Sequence, residues 1–300
     1  MNTLSWNRLM PHFALVAVAL AYAFNFFIAK WVFSQDIGVL GVVAIRNIFG
    51  TSFFWLVAGL FTKEKVTDRK DLLRLAICSV FGIVINQLMF FAGLDKTTEL
   101  NASVLMITSP VFVFLISLVF RTEKITWLKF VGLILSFFGA ALLILSGRSL
   151  DLGKDTWIGD IMVAINSGSY GVYLVLVKPL VIKYHPLTIV KWVFLMGGFV
   201  IIPVGASDLM AVDWSTFPAE AYWGLAYIIV FTTLLTYSFN AYALSKVSTS
   251  AVAIYIYLQP VIVAFLSFFW DKGDLTGEKL LYIFLVFVGV FAVTYRKKTI

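Results

Sequence analysis

The chain has 300 residues, of which 61% are hydrophobic and 13% charged, with a formal net charge of +7. Soluble domains carry about 25% charged residues, so a single water-facing globule is excluded and a bilayer must solvate much of the surface. The basic residues fall in short gaps between apolar runs and form no contiguous patch, which excludes a nucleic-acid partner.

Windows of roughly 20 apolar residues, the length a spanning helix needs, place spans at 11–33, 37–61, 72–93, 101–120, 127–146, 157–182, 186–206, 219–241, 250–270 and 279–295. The fold class expected is all-α integral membrane protein, because helices satisfy their own backbone groups in hydrocarbon. The first span carries Tyr22 and Asn25 at i and i+3 and ends on Lys30. The second holds Arg46 well inside it, and the third holds Asn86 and Gln87. The fourth contains Ser109 and Pro110. The fifth is nearly free of polar groups apart from Ser136 and Ser146. In the sixth, Asn166, Tyr170 and Tyr173 share one face, Asp160 sits near the start and Lys178 near the end. Lys191 lies about six residues into the seventh span. The eighth aligns Thr233, Tyr237 and Asn240; the ninth sets Tyr255 and Gln259 one turn apart, with Pro260 next; the tenth has Thr294 alone. The first apolar run reads as a span and not as a cleaved signal, since no small-residue site follows it.

With the N-terminus in the cytoplasm, the inner side receives fifteen Lys and Arg residues and the outer side six, so both termini are expected to be cytoplasmic. The second half echoes the first. Pro110 pairs with Pro260, Ser117 with Ser267, Thr126 with Thr276 and Gly139 with Gly289 at a spacing of 150. Tyr22 and Lys30 pair with Tyr170 and Lys178 at 148, and "IRNIF" at 45–49 parallels "VKWVF" at 190–194. Five spans per half send the second half in from the opposite side. Residues 1–147 and 148–300 are therefore expected to be inverted five-helix repeats, an arrangement that recurs in secondary transporters with a midplane site.

"GLDKTTELNASVLMITSPVFVFLIS" (93–117), "FRTEKITWLKFVGLILSFFGAALL" (120–143) and "ALSKVSTSAVAIYIYLQPVIVAFLS" (243–267) resemble the EamA-type members of the drug/metabolite transporter superfamily. The likeness covers essentially the whole chain. In that family a Ser/Thr/Ala-rich turn leads into the fourth span, a proline follows, and a Gly-Glu-x-x-Thr-like stretch opens the fifth. Glu123 and Thr126 fit that stretch, Thr122 replaces its Gly, and in the second half Gly273 stands where Glu123 would. The resemblance implies a carrier of small metabolites such as amino acids, in a bacterial inner (plasma) membrane, with the fifth and tenth spans away from the substrate route.

Polar side chains inside spans should face other helices or a cavity. Tyr22, Asn25, Arg46, Asn86, Gln87, Ser109, Asn166, Tyr170, Tyr173, Lys191, Tyr237, Asn240, Tyr255 and Gln259 are the expected substrate-binding residues. The first to fourth and sixth to ninth spans would supply the pocket wall. Each residue can instead make an interhelical hydrogen bond, and Arg46 or Lys191 can snorkel along its apolar stem. Lys30 and Lys178 read as interface anchors, and Pro110 and Pro260 as helix kinks. No Asp or Glu sits deep in a span, which disfavours carboxylate-coupled symport, and there is no P-loop. His12 and His185 stand alone and Cys78 is the one cysteine, so no metal, cofactor or disulfide is expected. Two other classes stay open: a membrane-embedded enzyme acting on lipid or a lipid-linked sugar and using His12, Asp36 or Glu123, and a channel.

Overall fold

The structure is a computed structural model that describes residues 3–35, 37–124, 126–145, 156–270 and 276–295, with side chains at 3–8, 99–100 and 266–270 left aside. The repeat boundary at 147/148, Asp36, Ser146, Gly273 and the topology-determining Arg148, Lys154, Lys272 and 296–298 lie outside the described residues, as does the Arg8 side chain. All regular structure among the described residues is helical. In chain order, α1 is Thr3–Phe33, α2 Val39–Phe61, α3 Arg69–Lys96, α4 Asn101–Val119 and α5 Trp127–Leu145. The second set is α6 Trp157–Lys183, α7 Pro186–Ala211, α8 Ala219–Lys246, α9 Thr249–Phe265 and α10 Gly277–Thr294. Among the described residues nine of these are long and apolar enough to cross a membrane, and α9 is the shorter one.

The surface is turned inside out relative to a soluble protein. Leu60, Trp127, Phe138, Phe199, Trp223 and Phe291 are exposed, while Arg46, Asn47, Gln87, Asn166, Thr232 and Thr233 are buried. Lipid tails reward the first pattern, and only protein can satisfy the second.

The α2–α7 and α5–α10 pairs are extensive and join equivalent spans of the two halves. Contacts also come in exchanged pairs: α3 against α6 mirrors α8 against α1, and α4 against α6 mirrors α9 against α1. Reciprocity reaches single residues. A Cβ on Gly139 would lie 2.9 Å from the Tyr282 carbonyl, and one on Gly289 would collide with the Gly132 carbonyl and the Ser136 hydroxyl. Missing side chains there let the α5 and α10 backbones touch, as small residues do where helices associate in lipid.

Several expectations shift. α3 and α8 are 28 residues each, longer than the expected 72–93 and 219–241. At ~1.5 Å per residue each rises roughly 42 Å, more than the ~30 Å hydrocarbon core, so each tilts or projects. Each contains a six-residue π turn, Val80–Ile85 and Val230–Leu235, at equivalent positions. Neither broken span bends at its proline. α4 is interrupted before Pro110, between Glu99–Met106 and Ser109–Val119. α9 passes through a 3-10 turn at Ile254–Tyr257 ahead of Pro260. Proline is tolerated in a helix's first turn, where its missing N–H has no partner to lose.

Lys30 and Lys178, expected as interface anchors, tie helix ends together within the protein. The Lys30 ammonium donates to the Thr97 carbonyl at 3.0 Å, just past the end of α3. Lys178 donates to the Val247 carbonyl at 2.5 Å and to that of Leu244 at the end of α8. The last carbonyls of a helix lack amide partners and carry the negative end of its dipole, so a cation on the neighbouring helix satisfies both. At the other end of the same loops, the Thr98 and Ser248 hydroxyls cap α4 and α9 by accepting from Asn101 N at 3.1 Å and Ala251 N at 3.2 Å.

Candidate functional site

The π turns decide how the centre is wired. A π register moves an amide off its usual carbonyl and leaves backbone oxygens open to side-chain donors. In α8 the Thr232 and Thr233 hydroxyls donate to the Ile228 carbonyl at 2.7 and 2.9 Å. The Thr232 carbonyl receives the Thr236 hydroxyl at 2.8 Å and Arg46 Nη2 at 3.2 Å. In α3 the equivalent carbonyl, that of Gly82, receives the Tyr237 hydroxyl at 3.1 Å, and the Asn86 carbonyl receives Asn166 Nδ2 at 2.7 Å.

Arg46 is held by this scaffold. It is 4% exposed; Nε donates to Thr233 Oγ1 at 2.8 Å, and the guanidinium carbon stands 4.5 Å from the Phe91 ring centroid. Close to it, Asn47 Nδ2 bridges the Val43 carbonyl at 3.0 Å and Gln87 Oε1 at 2.9 Å. Gln87 Nε2 donates to the Tyr237 hydroxyl at 3.1 Å, and the Tyr237 ring packs edge-on to Phe194 at 4.7 Å. Gln87 and Tyr237 are equivalent positions of the two halves, so this bond crosses between them on itself. Tyr22 donates to Thr236 Oγ1 at 3.3 Å.

Arg46, Tyr22, Asn86, Gln87, Asn166 and Tyr237 border one chamber of about 90 Å³, walled by α1, α2, α3, α4, α6, α8 and α9. Of the fourteen residues expected from sequence, the chamber brings together Tyr22, Asn25, Arg46, Asn86, Gln87, Asn166, Tyr170, Tyr173, Tyr237, Asn240, Tyr255 and Gln259. Ser109 and Lys191 are not on its wall. Ser109 is buried, its hydroxyl without a hydrogen-bond partner. Lys191 Nζ lies over the Trp55 ring at 4.9 Å, on the α2–α7 side. α7 lends the wall no residue, contrary to expectation, because its long contact with α2 takes up the face that would point inward. Thr233 belongs to the Arg46 support and not to the wall. α5 and α10 stay outside.

The sequence reading missed Asn47, Thr232, Gly82 and the apolar wall of Leu15, Val18, Phe26, Phe90, Met106 and Ile256. Asn47 had a signal, a second polar residue beside a buried cation. The apolar wall had none, since chamber-facing and lipid-facing residues look alike.

Residues that other chemistries would need lie apart. His12 Nδ1 is 2.8 Å from the Tyr255 hydroxyl. Glu123 binds the Ser250 amide and the Lys129 ammonium, each at 2.9 Å, and the Thr249 hydroxyl. In that loop, burial raises the Glu123 carboxyl, but the Thr249 hydroxyl, the Lys129 charge and the Ser250 amide more than offset it and hold the group below its usual value. Among the described residues no three His, Cys, Asp or Glu side chains gather as a metal site.

The model of the EamA-like transporter family matches residues 9–145 and again 157–295. A protein of Archaeoglobus fulgidus named as an uncharacterized transporter is 29% identical, over 71% of this chain and 74% of its own. A probable terminal-alkyne amino-acid exporter of Streptantibioticus cattleyicolor is 24% identical over 78% of this chain and 76% of its own. The Bacillus subtilis uncharacterized transporter YoaV is 23% identical over 94% and 95%. A solved crystal structure 11% identical in sequence superposes with a TM-score of 0.74 over 98% of this chain and 100% of that one, a likeness of fold.

Proposed function

The chain belongs to the EamA-like transporter family, and from that premise we propose that it is a secondary carrier that exports or exchanges small polar or amphipathic metabolites, amino acids among them, by alternating access. One observation carries this reading. A single chamber draws polar side chains from both halves, and the contacts around it recur with the halves exchanged. Two inverted units with interchangeable contacts have two equivalent arrangements, and a site between them can then face either side in turn. The Streptantibioticus relative's name supports the amino-acid class. The basic-residue asymmetry supports cytoplasmic termini, the residue matches support repeats meeting near residue 147, and the bacterial relatives support a bacterial inner membrane.

In this reading the aromatic groups of Tyr22, Tyr170 and Tyr173 hold the apolar part of the ligand, while Arg46, Asn25, Gln87 and Asn166 take its polar ends. The test is counterflow. Proteoliposomes loaded with one member of a metabolite panel should accelerate entry of its labelled form and saturate. Folded protein that gives no flux for any panel member sinks the reading. Flux that never saturates points to a channel, and a chemically altered solute to an enzyme.

A further inference from the structure

The chamber's charge is one-sided. Arg46 is its cation, and no Asp or Glu appears among the described wall residues. None of the ion pairs among described residues includes Arg46. A guanidinium has five N–H donors in a planar fork. One goes to Thr233 Oγ1 and one to the Thr232 carbonyl, so part of the fork remains for a ligand. An uncompensated buried cation in a low-dielectric setting calls for an anion, and a planar fork matches a carboxylate best.

Two further atoms are unmatched in the opposite sense. Asn25 and Asn166 line the chamber and are 3% and 2% exposed. Both Oδ1 atoms lack a donor. The Asn166 amide is oriented by its Nδ2 bond to the Asn86 carbonyl at 2.7 Å, and its oxygen is left without a donor. A buried acceptor with no donor is costly, so both amides ask for an N–H or O–H from whatever enters. Phe26, Phe90, Met106, Val252 and Ile256 make much of the remaining wall apolar.

Resting on the carrier reading above, we propose that the chamber takes a small carboxylic acid with a hydrogen-bond donor beside the carboxylate and an apolar tail. Arg46 holds the carboxylate, and the Asn25 and Asn166 oxygens accept from the donor. α-Amino and α-hydroxy acids share this layout.

Full-length protein in nanodiscs is titrated, with thermal stabilisation as readout, against four analogues of each of three tails: methyl, isobutyl and benzyl. The analogues are the α-amino acid, the α-hydroxy acid, the unsubstituted acid and the decarboxylated amine. For at least one tail, an α-substituted acid should bind and lose roughly tenfold on removal of the donor, while the amine gives no shift. Whichever of the amino and hydroxy acids binds more tightly identifies the donor. R46Q should weaken acid binding by roughly tenfold to a hundredfold. R46K, which keeps the charge, should retain the preference for acids over amines. N25A combined with N166A should abolish the advantage of the α-substituted acid over the unsubstituted one. The proposal is overturned if amines bind as well as acids, if monodisperse R46Q keeps its acid affinity, or if no acid binds with any tail. Binding of these acids without counterflow would sink the carrier reading alone. Flux of carboxylate-free solutes, unchanged in R46Q, would sink this proposal and leave the carrier.

Discussion

Removing one oxygen at the centre of the molecule should loosen the joint between the halves. In Tyr237→Phe the ring keeps its place against Phe194, but the hydroxyl that accepts from Gln87 and donates to the Gly82 carbonyl is gone. Gln87 Nε2 then loses its acceptor and the Gly82 carbonyl its side-chain donor, both inside the bundle. One net hydrogen bond is worth about 0.5–1.5 kcal/mol, and a stranded buried partner about 1–3 kcal/mol. Together they predict a loss of roughly 2–3 kcal/mol. Unfolding in detergent by denaturant should show that loss, with Tyr237→Ala losing more through the ring. Gln87→Ala alone and combined with Tyr237→Phe completes a cycle, whose coupling should be about 0.5–1.5 kcal/mol. Single-mutant losses that simply add would show that the 3.1 Å contact carries no energy and refute the reasoning.

Gly289→Val puts a branched side chain where α10 meets the Gly132 carbonyl and Ser136, so the α5–α10 pair should separate and stability fall by at least about 1–3 kcal/mol. Ligand affinity should hold in whatever protein remains folded, because neither helix reaches the chamber. Glu123 is held below its ordinary value in the folded protein, so its contribution is complete above the unfolded value of about 4.3 and disappears as pH falls through the lower folded one. Glu123→Gln should remove that acid limb from a series of melting temperatures, and an unchanged limb would assign it to other groups. Cys78 is buried and is the one cysteine, so introduced thiols can be labelled cleanly. Ser215→Cys should react from outside intact cells and Lys65→Cys only after permeabilisation, and the reverse pattern would invert the topology.

Much of the site could be read from sequence because polar side chains are expensive in lipid. A helix that carries Asn166, Tyr170 and Tyr173 on one face must hide that face, and the only places to hide it are other helices or a chamber. The same logic could not separate chamber from contact: Ser109 and Lys191 obey it equally and end up packed against protein. Repeat matches at Pro110 and Pro260 located the unusual segments of α4 and α9 but misassigned the cause, since the breaks fall two to six residues earlier, at Ile107–Thr108 and Ile254–Tyr257. π turns leave no compositional trace; "VFGIVI" and "VFTTLL" read as ordinary apolar helix, though they stand 150 residues apart.

Those turns also explain how a symmetric scaffold supports an asymmetric site. Gly82 and Thr232 are equivalent, and each presents a carbonyl to a side chain from elsewhere in the bundle. The donor is neutral at one, Tyr237, and cationic at the other, Arg46. Duplication therefore supplies matching sockets, and divergence fills them differently, so the chamber gains a charged pole without losing the paired contacts that relate its two halves. A carrier needs both properties: near-equal packing in two arrangements, so that neither traps it, and an uneven interior, so that a ligand binds in one orientation. Removing the charge at Arg46 would leave both sockets with neutral donors and should cost selectivity before it costs the fold.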